Sequence, residues 1–397
     1  MSLPQALSRN DCVRVATARE ASRRTICFPF AGDAVGGSHL SVMGLLEQID
    51  PYRYRVLVVP EIAGGHISGL FASFAQATDP GVAHGFTPGE AFTPAKFMQA
   101  LQGSRARRNF LREQRVDIVH LNDGRSCANW AVASRLAGTK LLWHNRGNPN
   151  ALGLRFAAPF LAHQVVAVSS YALPRGALWS SGKQARVVHS PFDTDLEVDR
   201  AEARQALVHA LGVSPDTLIV GYVGAFVPRK RPDIFVEATA RLRALVNQPI
   251  IGTMFGQART QAMENRLQKQ IAQLDAGAWI RQMGYREPGA FWIAGCDILL
   301  VPAVDEPFGR TLIEAMLVGT PVVAAESGGN IEALTGGLGL LAAPDDPSAL
   351  ASACAKLVRE PTFADAIAAR AQAYARDHYS QKTHAERVCA VYETLLA

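Results

Sequence analysis

The sequence of 397 residues has no apolar run long enough to cross a bilayer, and its first 25 residues lack the apolar core of a secretory signal. Its six cysteines are scattered, with no C-x-x-C pair and no metal-ligand spacing. Buried reduced thiols in a cytoplasmic protein are therefore expected. The absence of a G-x-G-x-x-G motif argues against a nicotinamide or flavin site.

Charge is distributed unevenly along a chain of ordinary globular composition, 48% hydrophobic and 19% charged. Residues 1–190 hold 21 Lys and Arg against 11 Asp and Glu, whereas the rest hold 19 against 24. One predicted helix of the basic half carries Arg105, Arg107, Arg108, Arg112 and Arg115. Such a helix suits peripheral contact with the inner face of an anionic membrane or an acidic acceptor, and equally a solvated surface. No aromatic-interleaved basic motif accompanies it, so nucleic acid is not an expected partner.

Candidate strands and helices alternate, which is typical of α/β domains with parallel sheets and crossover helices. The ten candidate strands are Thr25–Phe30, Tyr54–Val59, Asp117–Leu121, Lys140–His144, Gln164–Val168, Thr217–Val223, Ile251–Phe255, Trp279–Met283, Ile298–Pro302 and Val322–Ala325. The predicted organisation is a polar basic tail over 1–24, Rossmann-like domains over 25–190 and 191–379, and a closing helix over 380–397. Ligands of such domains bind at the carboxyl ends of the strands.

The most informative segment is the eleven residues Glu-Pro-Phe-Gly-Arg-Thr-Leu-Ile-Glu-Ala-Met that begin at Glu306. They join an apolar strand to a predicted helix, whose first-turn N–H groups at residues 310–312 form an anion site. A phosphate there would have a carboxylate on either side. Glu314 could then accept hydrogen bonds from a ribose diol, and Glu306 could face a second sugar. A bare pair of glutamates at this spacing is more often a solvated helix face.

This segment resembles the signature of the retaining glycosyltransferases of family 4. These have the GT-B fold, an α/β architecture of two Rossmann-like domains whose parallel sheets face each other across an interdomain cleft. The match to E-P-F-G-x-x-x-x-E-A has no gap and continues into Gly-x-Pro-Val-Val from Gly319. A second segment, residues 221–232, resembles the family's G-x-x-x-P-x-K motif. In it Lys230 aligns as a phosphate ligand beside Arg229, and Ala225 replaces an arginine that many relatives carry.

The resemblance implies a nucleotide-sugar donor site in the second domain and an acceptor site in the first. The implied donor-binding residues are Gly37, Glu306, Phe308, Gly309, Arg310, Thr311, Leu312, Glu314, Met283 and Tyr285. The implied acceptor-binding residues are Ser38, His120, Asn122 and Arg146. The implied catalytic residues are Glu306, His144, Lys230 and Arg229, of which His144 resembles a family histidine that borders the donor sugar. Taken alone, a lone histidine is more often structural, and a basic loop is more often solvated surface.

No metal and no cofactor are expected. Asp193-Thr194-Asp195 resembles a metal motif of another glycosyltransferase fold, but no third acidic residue lies near it in the sequence. Helix N–H groups with Arg229 and Lys230 can stabilise a departing diphosphate without a metal. The family is thought to retain anomeric configuration by front-face attack, so Glu306 is expected to position the donor sugar and stabilise the transition state.

The implied activity is transfer of a hexosyl-type sugar from a nucleotide-diphosphate sugar to a hydroxyl group. The acceptor would be a glycan, a lipid-linked molecule or a small molecule, in cell-envelope glycan, polysaccharide or glycolipid synthesis. The alternatives are a GT-B nucleotide-sugar epimerase, a GT-B phosphorylase and a non-catalytic nucleotide-sugar-binding protein. In this fold the closing helix usually packs back towards the N-terminal domain.

Overall fold

The computed structural model describes residues 23–84, 94–175 and 185–397, and all ten predicted strands are present with each end within one residue of its prediction. Two further strands, of two and three residues, are too short to show a sequence period. The twelve strands are β1 Arg24–Phe30, β2 Tyr54–Pro60, β3 Ile118–Leu121, β4 Lys140–Asn145, β5 Gln164–Ala167, β6 Arg186–Val187, β7 Leu218–Val223, β8 Ile250–Phe255, β9 Ile280–Gly284, β10 Ile298–Val301, β11 Val322–Ala325 and β12 Leu340–Ala342.

In the part of the chain that the structure describes, helices connect all successive strands other than β5 and β6, as is usual for parallel pairing. The α-helices are α1 Gly37–Leu46, α2 His66–Leu70, α3 Pro94–Glu113, α4 Gly124–Ala137, α5 Ala158–Leu161, α6 Arg200–Leu211, α7 Pro232–Leu245, α8 Gln261–Gln273, α9 Gly289–Ala294, α10 Arg310–Leu317, α11 Gly329–Leu334, α12 Pro347–Arg359, α13 Pro361–His378 and α14 Gln381–Leu396. A π-helical turn, Gly153–Ala157, precedes α5.

The described residues form two compact units, each with its own six-stranded parallel sheet. The first unit holds the described residues up to Ala167, those of Leu173–Val188, and Ala385–Ala397. The second holds Val168–Ala172 and His189–His384. The sequence predicted a division between the two domains near residue 190. It did not predict that the five residues after β5, Val168–Ala172, belong to the second unit. That segment is too short for a composition or period to mark it.

In the first unit the sheet order is β2-β1-β3-β4-β5-β6. Apolar side chains cover both faces of the sheet, as expected for parallel strands with helices on either side. One face packs against α1 and the last helix through residues such as Phe28, Val42 and Tyr392. The other packs against α4 through residues such as Trp130 and Leu141.

In the second unit the order is β12-β11-β10-β7-β8-β9. Strands β7 and β10 are neighbours although about 75 residues separate them in the sequence, and Leu299 pairs with Gly221. These two strands are parallel to each other, so the loops that follow them leave the sheet at the same carboxyl edge. Two of the predicted motifs are thereby brought together.

The basic helix predicted in the first half differs from its prediction in two residues. Arg107 is 1% exposed and makes a forked ion pair with Asp79, with Nε–Oδ1 and Nη2–Oδ2 distances of 2.9 and 2.8 Å. It is therefore a core residue and not part of a basic surface. Arg115 lies beyond the end of α3, at φ 49°. Residues 1–22 of the predicted tail fall outside the described residues, and none of the described helices has the length and apolar character needed to cross a membrane.

Candidate functional site

Arg229, Lys230 and Glu306 meet at the carboxyl edge of the second sheet. The two cations lie in a short 3-10 turn after β7, and Glu306 follows β10. The Lys230 Nζ atom is 2.9 Å from Glu306 Oε2, and Arg229 Nη1 donates to the same oxygen. The backbone fixes the arrangement as well, because the amide of Val304 donates to the carbonyl of Arg229 at 3.0 Å. The two sequence motifs thus form one charged cluster.

The cluster holds Glu306 in its ionised form. Glu306 is only 8% exposed, and this burial by itself would raise its pKa. The charges and hydrogen bonds of Lys230 and Arg229 outweigh burial and lower the pKa below its ordinary value of 4.5. An ionised carboxylate only accepts hydrogen bonds, so Glu306 suits contact with the hydroxyl groups of a sugar.

Helix α10 begins at Arg310 directly after Gly309, whose φ of 78° is a conformation that L side chains rarely adopt. The Arg310 guanidinium lies over the ring of Phe192 at 4.3 Å and donates to the carbonyl of Pro191 at 3.3 Å. Its Nε atom is 3.7 Å from Glu314 Oε1, one turn along the helix. The Arg310 side chain is thus held by its own unit, which leaves its backbone as the part suited to a phosphate.

Glu314 differs from Glu306 in its electrostatics. Burial raises its pKa, and the charges of Arg310 and Lys230 offset only part of this effect. The side chain of Glu314 is 28% exposed, so a ligand can reach it.

Three other predicted donor-binding residues have side-chain groups that are buried in the structure. Phe308 is 3% exposed and packs against His189 and Tyr379, with ring centroids 5.2 and 5.6 Å apart. Leu312 is fully buried, and its amide already donates to the carbonyl of Gly309 at 3.1 Å. The Thr311 hydroxyl is buried without a hydrogen-bond partner. Of the predicted anion-binding amides, that of Leu312 is therefore occupied in the structure.

The Gly328-Gly329 turn after β11 packs closely against the backbone of the loop that carries Glu306. A Cβ atom on Gly328 would lie 2.6 Å from the carbonyl oxygen of Glu306, and one on Gly329 would lie 2.6 Å from that of Pro307. Only glycines allow this approach. The buried side chain of Asn330 then donates to the carbonyls at the ends of β10 and β11, each at 3.0 Å.

Glu332 fixes a loop. It accepts hydrogen bonds from the amide of Ser170 and from His189 Nε2, both at 2.6 Å. Burial would raise its pKa, but these two donors lower it. Ser169 donates in turn to the carbonyl of Pro307. Sequence reasoning did not connect residues 169–170 with this turn, because they lie more than 130 residues earlier in the chain.

Met283 lies in β9 and Tyr285 follows that strand, which is two places from β7 in the sheet order. Met283 packs against a cluster of buried apolar side chains. Tyr285 is 71% exposed, and its hydroxyl is 2.5 Å from Glu287 Oε1. A cavity of about 480 Å³ opens nearby, after β8 and β9, and sequence reasoning did not predict it. Its lining includes Gly256, Arg259, Gln282 and Gly284. The sequence feature that could have predicted this cavity is a glycine at the end of a strand followed by a polar loop.

In the first unit a cavity of about 300 Å³ lies at the carboxyl ends of β3 and β4. Predicted site residues Ser38, Asn122, His144 and Arg146 all line it, together with Trp143. Arg146 Nε donates to Asn122 Oδ1 at 3.0 Å, and Arg146 Nη2 is 3.3 Å from His144 Nδ1. Such an array of amide, hydroxyl, imidazole and guanidinium groups beside an aromatic ring suits a polyhydroxylated or anionic ligand. Gly37, just before Ser38, begins helix α1.

His120 is placed differently from its prediction as an acceptor-binding residue. It is fully buried, with Nδ1 2.6 Å from the hydroxyl of Tyr392 and Nε2 3.1 Å from His144 Nδ1. Its ring lies between these two side chains, of which His144 lines the cavity. The sequence showed a strand-end histidine but not the tyrosine of the closing helix that covers it.

Among the described residues no group of three or more His, Cys, Asp or Glu side chains could hold a metal ion. In the Asp-x-Asp segment, Asp193 Oδ1 accepts a hydrogen bond from the amide of Asp195 at 3.1 Å, which closes a local turn. The segment therefore has a structural role in shaping the backbone there.

Part of this chain is similar in sequence to known glycosyltransferases. Residues 204–376 match the family described as glycosyl transferases group 1. The D-inositol 3-phosphate glycosyltransferase of Stackebrandtia nassauensis is 33% identical over 207 residues, 50% of this chain and 46% of that protein. The lipopolysaccharide core biosynthesis mannosyltransferase LpsB of Rhizobium meliloti is 30% identical over 204 residues, 50% and 56% of the two chains. The chain thus spans about half the length of the curated relatives it matches.

The likeness to solved structures extends over both units. The crystal structure of Anabaena HepE in complex with UDP and glucose matches with a TM-score of 0.76 at 24% identity, over 93% of this chain and 99% of that one. At this identity the match shows the fold, which agrees with the two six-stranded parallel sheets. The chain therefore has the GT-B fold of two Rossmann-like domains, and its residues 204–376 are similar to the glycosyl transferases group 1 family.

Proposed function

We propose that this protein is a retaining glycosyltransferase that moves a hexosyl-type sugar from a nucleotide-diphosphate sugar to an acceptor hydroxyl. The observation that carries the proposal is the cluster of Arg229, Lys230 and Glu306 beside the start of α10. It combines two cations for a diphosphate with an ionised carboxylate for a sugar, at a helix start that favours anions. The group 1 family match covers the same residues.

In this proposal the donor occupies the second unit. Lys230 and Arg229 stabilise the charge that develops on the departing diphosphate, and the N-terminal end of α10 adds to this stabilisation. Glu314 accepts hydrogen bonds from the ribose, and Glu306 holds the sugar and stabilises the oxocarbenium-like transition state. The cations supply the positive charge, so we propose catalysis without a metal ion and without a cofactor. The HepE structures with UDP and UDP-glucose support a nucleotide-sugar donor.

The acceptor in this proposal binds in the first unit, in the 300 Å³ cavity that Arg146 and His144 line. The relatives named for an inositol phosphate and for a lipopolysaccharide core support a role in glycan or glycolipid synthesis. We propose a cytoplasmic location, with contact at the inner face of the membrane. A non-catalytic nucleotide-sugar-binding protein, a GT-B epimerase and a GT-B phosphorylase are the alternatives. The intact charged cluster favours a transferase over a passive binder.

A donor screen tests this function. Nucleoside diphosphate release would be measured from UDP-, GDP- and ADP-sugars with a panel of glycan, lipid-linked and inositol phosphate acceptors, and the product anomer would be read by NMR. We expect one donor to raise the Tm of the wild type and to turn over only with an acceptor. Glu314→Ala should weaken donor binding about tenfold or more, because a hydrogen bond to a charged group is worth about 1.5–3 kcal/mol. Glu202→Ala, which removes an exposed carboxylate from α6 of the same unit, is the matched control.

Three results would contradict the proposal, each at a different level. Donor binding that is equal in the wild type and in Glu314→Ala would refute the donor site. Binding without nucleoside diphosphate release under any condition would indicate a sensor. An inverted anomeric centre in the product would exclude retention while leaving the transferase activity in place.

A further inference from the structure

Two residues of the short segment after β5 hold the chain neighbours of Glu306. The segment belongs to the second unit, as does the loop that carries Glu306. The Ser169 hydroxyl donates to the carbonyl of Pro307, and the Tyr171 hydroxyl donates to Asp305 Oδ1 at 2.9 Å. The residues on both sides of Glu306 are therefore bonded to one segment that lies more than 130 residues earlier in the chain.

The loop around Glu306 depends on such contacts for its shape. Residues 302–309, all within the described part of the chain, form neither strand nor helix. Asp305 has a φ of 51°, a left-handed conformation that is uncommon for residues other than glycine. Its amide donates to Ser327 Oγ at 3.0 Å, and its carboxylate accepts the bond from Tyr171. These two bonds offset the cost of the left-handed backbone and so fix the direction in which the chain enters Glu306.

The Ser169 hydroxyl has a single orientation. Ser169 is fully buried, and the amide of Ala172 donates to its Oγ atom at 3.1 Å. An amide only donates and a carbonyl only accepts, so the hydroxyl proton points at the carbonyl of Pro307. Proline has no backbone N–H group, which leaves this carbonyl as the hydrogen-bonding group of Pro307.

The segment is itself anchored by Glu332. One carboxylate oxygen of Glu332 accepts from the amide of Ser170, and the other from His189 Nε2, both at 2.6 Å. The His189 ring in turn stacks on that of Phe308, with a centroid distance of 5.2 Å and an interplanar angle of 15°. Glu332 thus ties the segment to the second residue after Glu306 as well.

We propose that Ser169 and Tyr171 are positioning residues, which hold the backbone on both sides of Glu306 so that its carboxylate lies against Lys230 and Arg229. This inference rests on the proposed function for what Glu306 does to the donor sugar, and on the structure alone for how Glu306 is placed. The segment acts through the loop and does not touch the substrate.

The first test measures the placement of Glu306 without any substrate. Chemical denaturation would compare the loss of stability caused by Glu306→Gln in three backgrounds: the wild type, the double variant Ser169→Ala and Tyr171→Phe, and Thr239→Val. We expect the shift in denaturation midpoint in the double variant to be about half of that in the wild type or less, because residues of one contact network have non-additive effects. In Thr239→Val the shift should equal that in the wild type. This control removes a buried hydroxyl of the same unit that donates to the carbonyl of Phe235 at 2.8 Å within α7.

The second test uses the donor and acceptor found in the screen. The double variant should lower kcat about tenfold, because Glu306 no longer meets the sugar in the geometry of the transition state. Its Kd for the nucleoside diphosphate alone should stay within about twofold of the wild type, since that ligand has no sugar for Glu306 to hold. Tyr171→Phe alone removes one hydroxyl from a partly exposed side chain and should lower kcat about threefold, so the effect is measurable even if Ser169→Ala prevents folding.

The outcomes separate this inference from the proposed function. A wild type that releases no nucleoside diphosphate refutes the function, while the denaturation experiment still tests the placement of Glu306. Equal midpoint shifts for Glu306→Gln in all three backgrounds would refute the positioning role. So would a kcat of the double variant equal to that of Thr239→Val, or an affinity for the nucleoside diphosphate that falls as much as kcat.

Discussion

At the scale of single residues, the two glutamates of one motif are in opposite electrostatic situations. The charge of Glu306 is stabilised by Lys230 and Arg229, which lower its pKa against the effect of burial. The charge of Glu314 is disfavoured by burial, which raises its pKa despite Arg310 and Lys230. A charged Glu306 therefore stabilises the folded protein, whereas a charged Glu314 costs stability. This difference is expected if the favourable partner of the Glu314 carboxylate is a bound ligand.

We predict opposite stability effects for the two neutral variants at pH 7.5. Glu306→Gln should destabilise the protein by about 1–3 kcal/mol, because two cations lose their shared acceptor. Glu314→Gln should raise Tm by about 1–3 °C, the response of a domain of this size to a gain below about 1 kcal/mol. Thermal melts of the two variants and the wild type, without ligand, would measure both effects.

The pH dependence supplies the check on that prediction. The folded-state pKa of Glu306 is below its ordinary value of 4.5, so its contribution is complete above that pH and is lost as pH falls through the folded-state value. The folded-state pKa of Glu314 is above 4.5, so its cost is present above the folded-state value and disappears below pH 4.5. Both differences from the wild type should shrink on acidification from pH 8 to 4. A stabilising Glu306→Gln or a destabilising Glu314→Gln would contradict this account.

At the scale of secondary-structure elements, the site depends on loops that follow three neighbouring strands, β11, β10 and β7. Gly328 lies at φ 59°, and its missing Cβ would meet the backbone nitrogen and oxygen of Glu306 at 2.7 and 2.6 Å. Asn330 joins the ends of β10 and β11 by two hydrogen bonds. The loop that carries Glu306 is therefore positioned from the side of β11, as well as by the two cations after β7.

Gly328→Ala should displace the Glu306 loop. The expected cost is about 1–3 kcal/mol of backbone strain, with a further loss from the clash with the backbone of Glu306. Donor affinity should fall with it. Gly336→Ala is the matched control, since Gly336 has a φ of 79° and a Cβ there would meet nothing within 4 Å. Chemical denaturation and donor titration of both variants would measure the difference, and equal losses in the two would show that the close approach has no role.

At the scale of the whole molecule, the first unit has an exposed apolar surface next to its cavity. We define the apolar stripe as Leu152, Phe156 and Phe160, which are 73%, 62% and 61% exposed. They are four residues apart along a helical segment whose Leu154 lines the cavity. The Arg155 guanidinium lies over the Phe156 ring at 5.2 Å. An apolar stripe with an adjacent cation suits insertion into an anionic lipid surface, which supports the proposed membrane contact.

We predict that the wild type co-sediments with vesicles of phosphatidylcholine and phosphatidylglycerol more than with pure phosphatidylcholine. The double variant Leu152→Ser and Phe156→Ser should bind at least about tenfold more weakly, since each buried side chain of this type contributes about 1.5–3 kcal/mol. Tyr52→Ser, which removes an 80% exposed aromatic side chain elsewhere on the same unit, should bind like the wild type. Equal binding of the double variant and Tyr52→Ser would refute a role of the apolar stripe.

The sequence alone determined the strands, the α/β class and the chemical types of the residues at the proposed donor site. These features are local: a buried strand reads as a short apolar run, and a glycine or a charged loop marks its end. The segment from Glu306 to Glu314 and the pair Arg229 and Lys230 were identified in this way. Two strands of two and three residues were missed because so few residues show no period.

Only the tertiary structure decided which of these residues meet. Sheet order depends on contacts between distant segments, so the pairing of β7 with β10 that joins Lys230 to Glu306 could not be read from either motif. For the same reason no local pattern indicated that Arg107 lies in the core or that Tyr392 contacts His120. Local pattern specified the chemical groups of the proposed nucleotide-sugar site, and long-range packing specified which of them are charged, buried or in contact with one another.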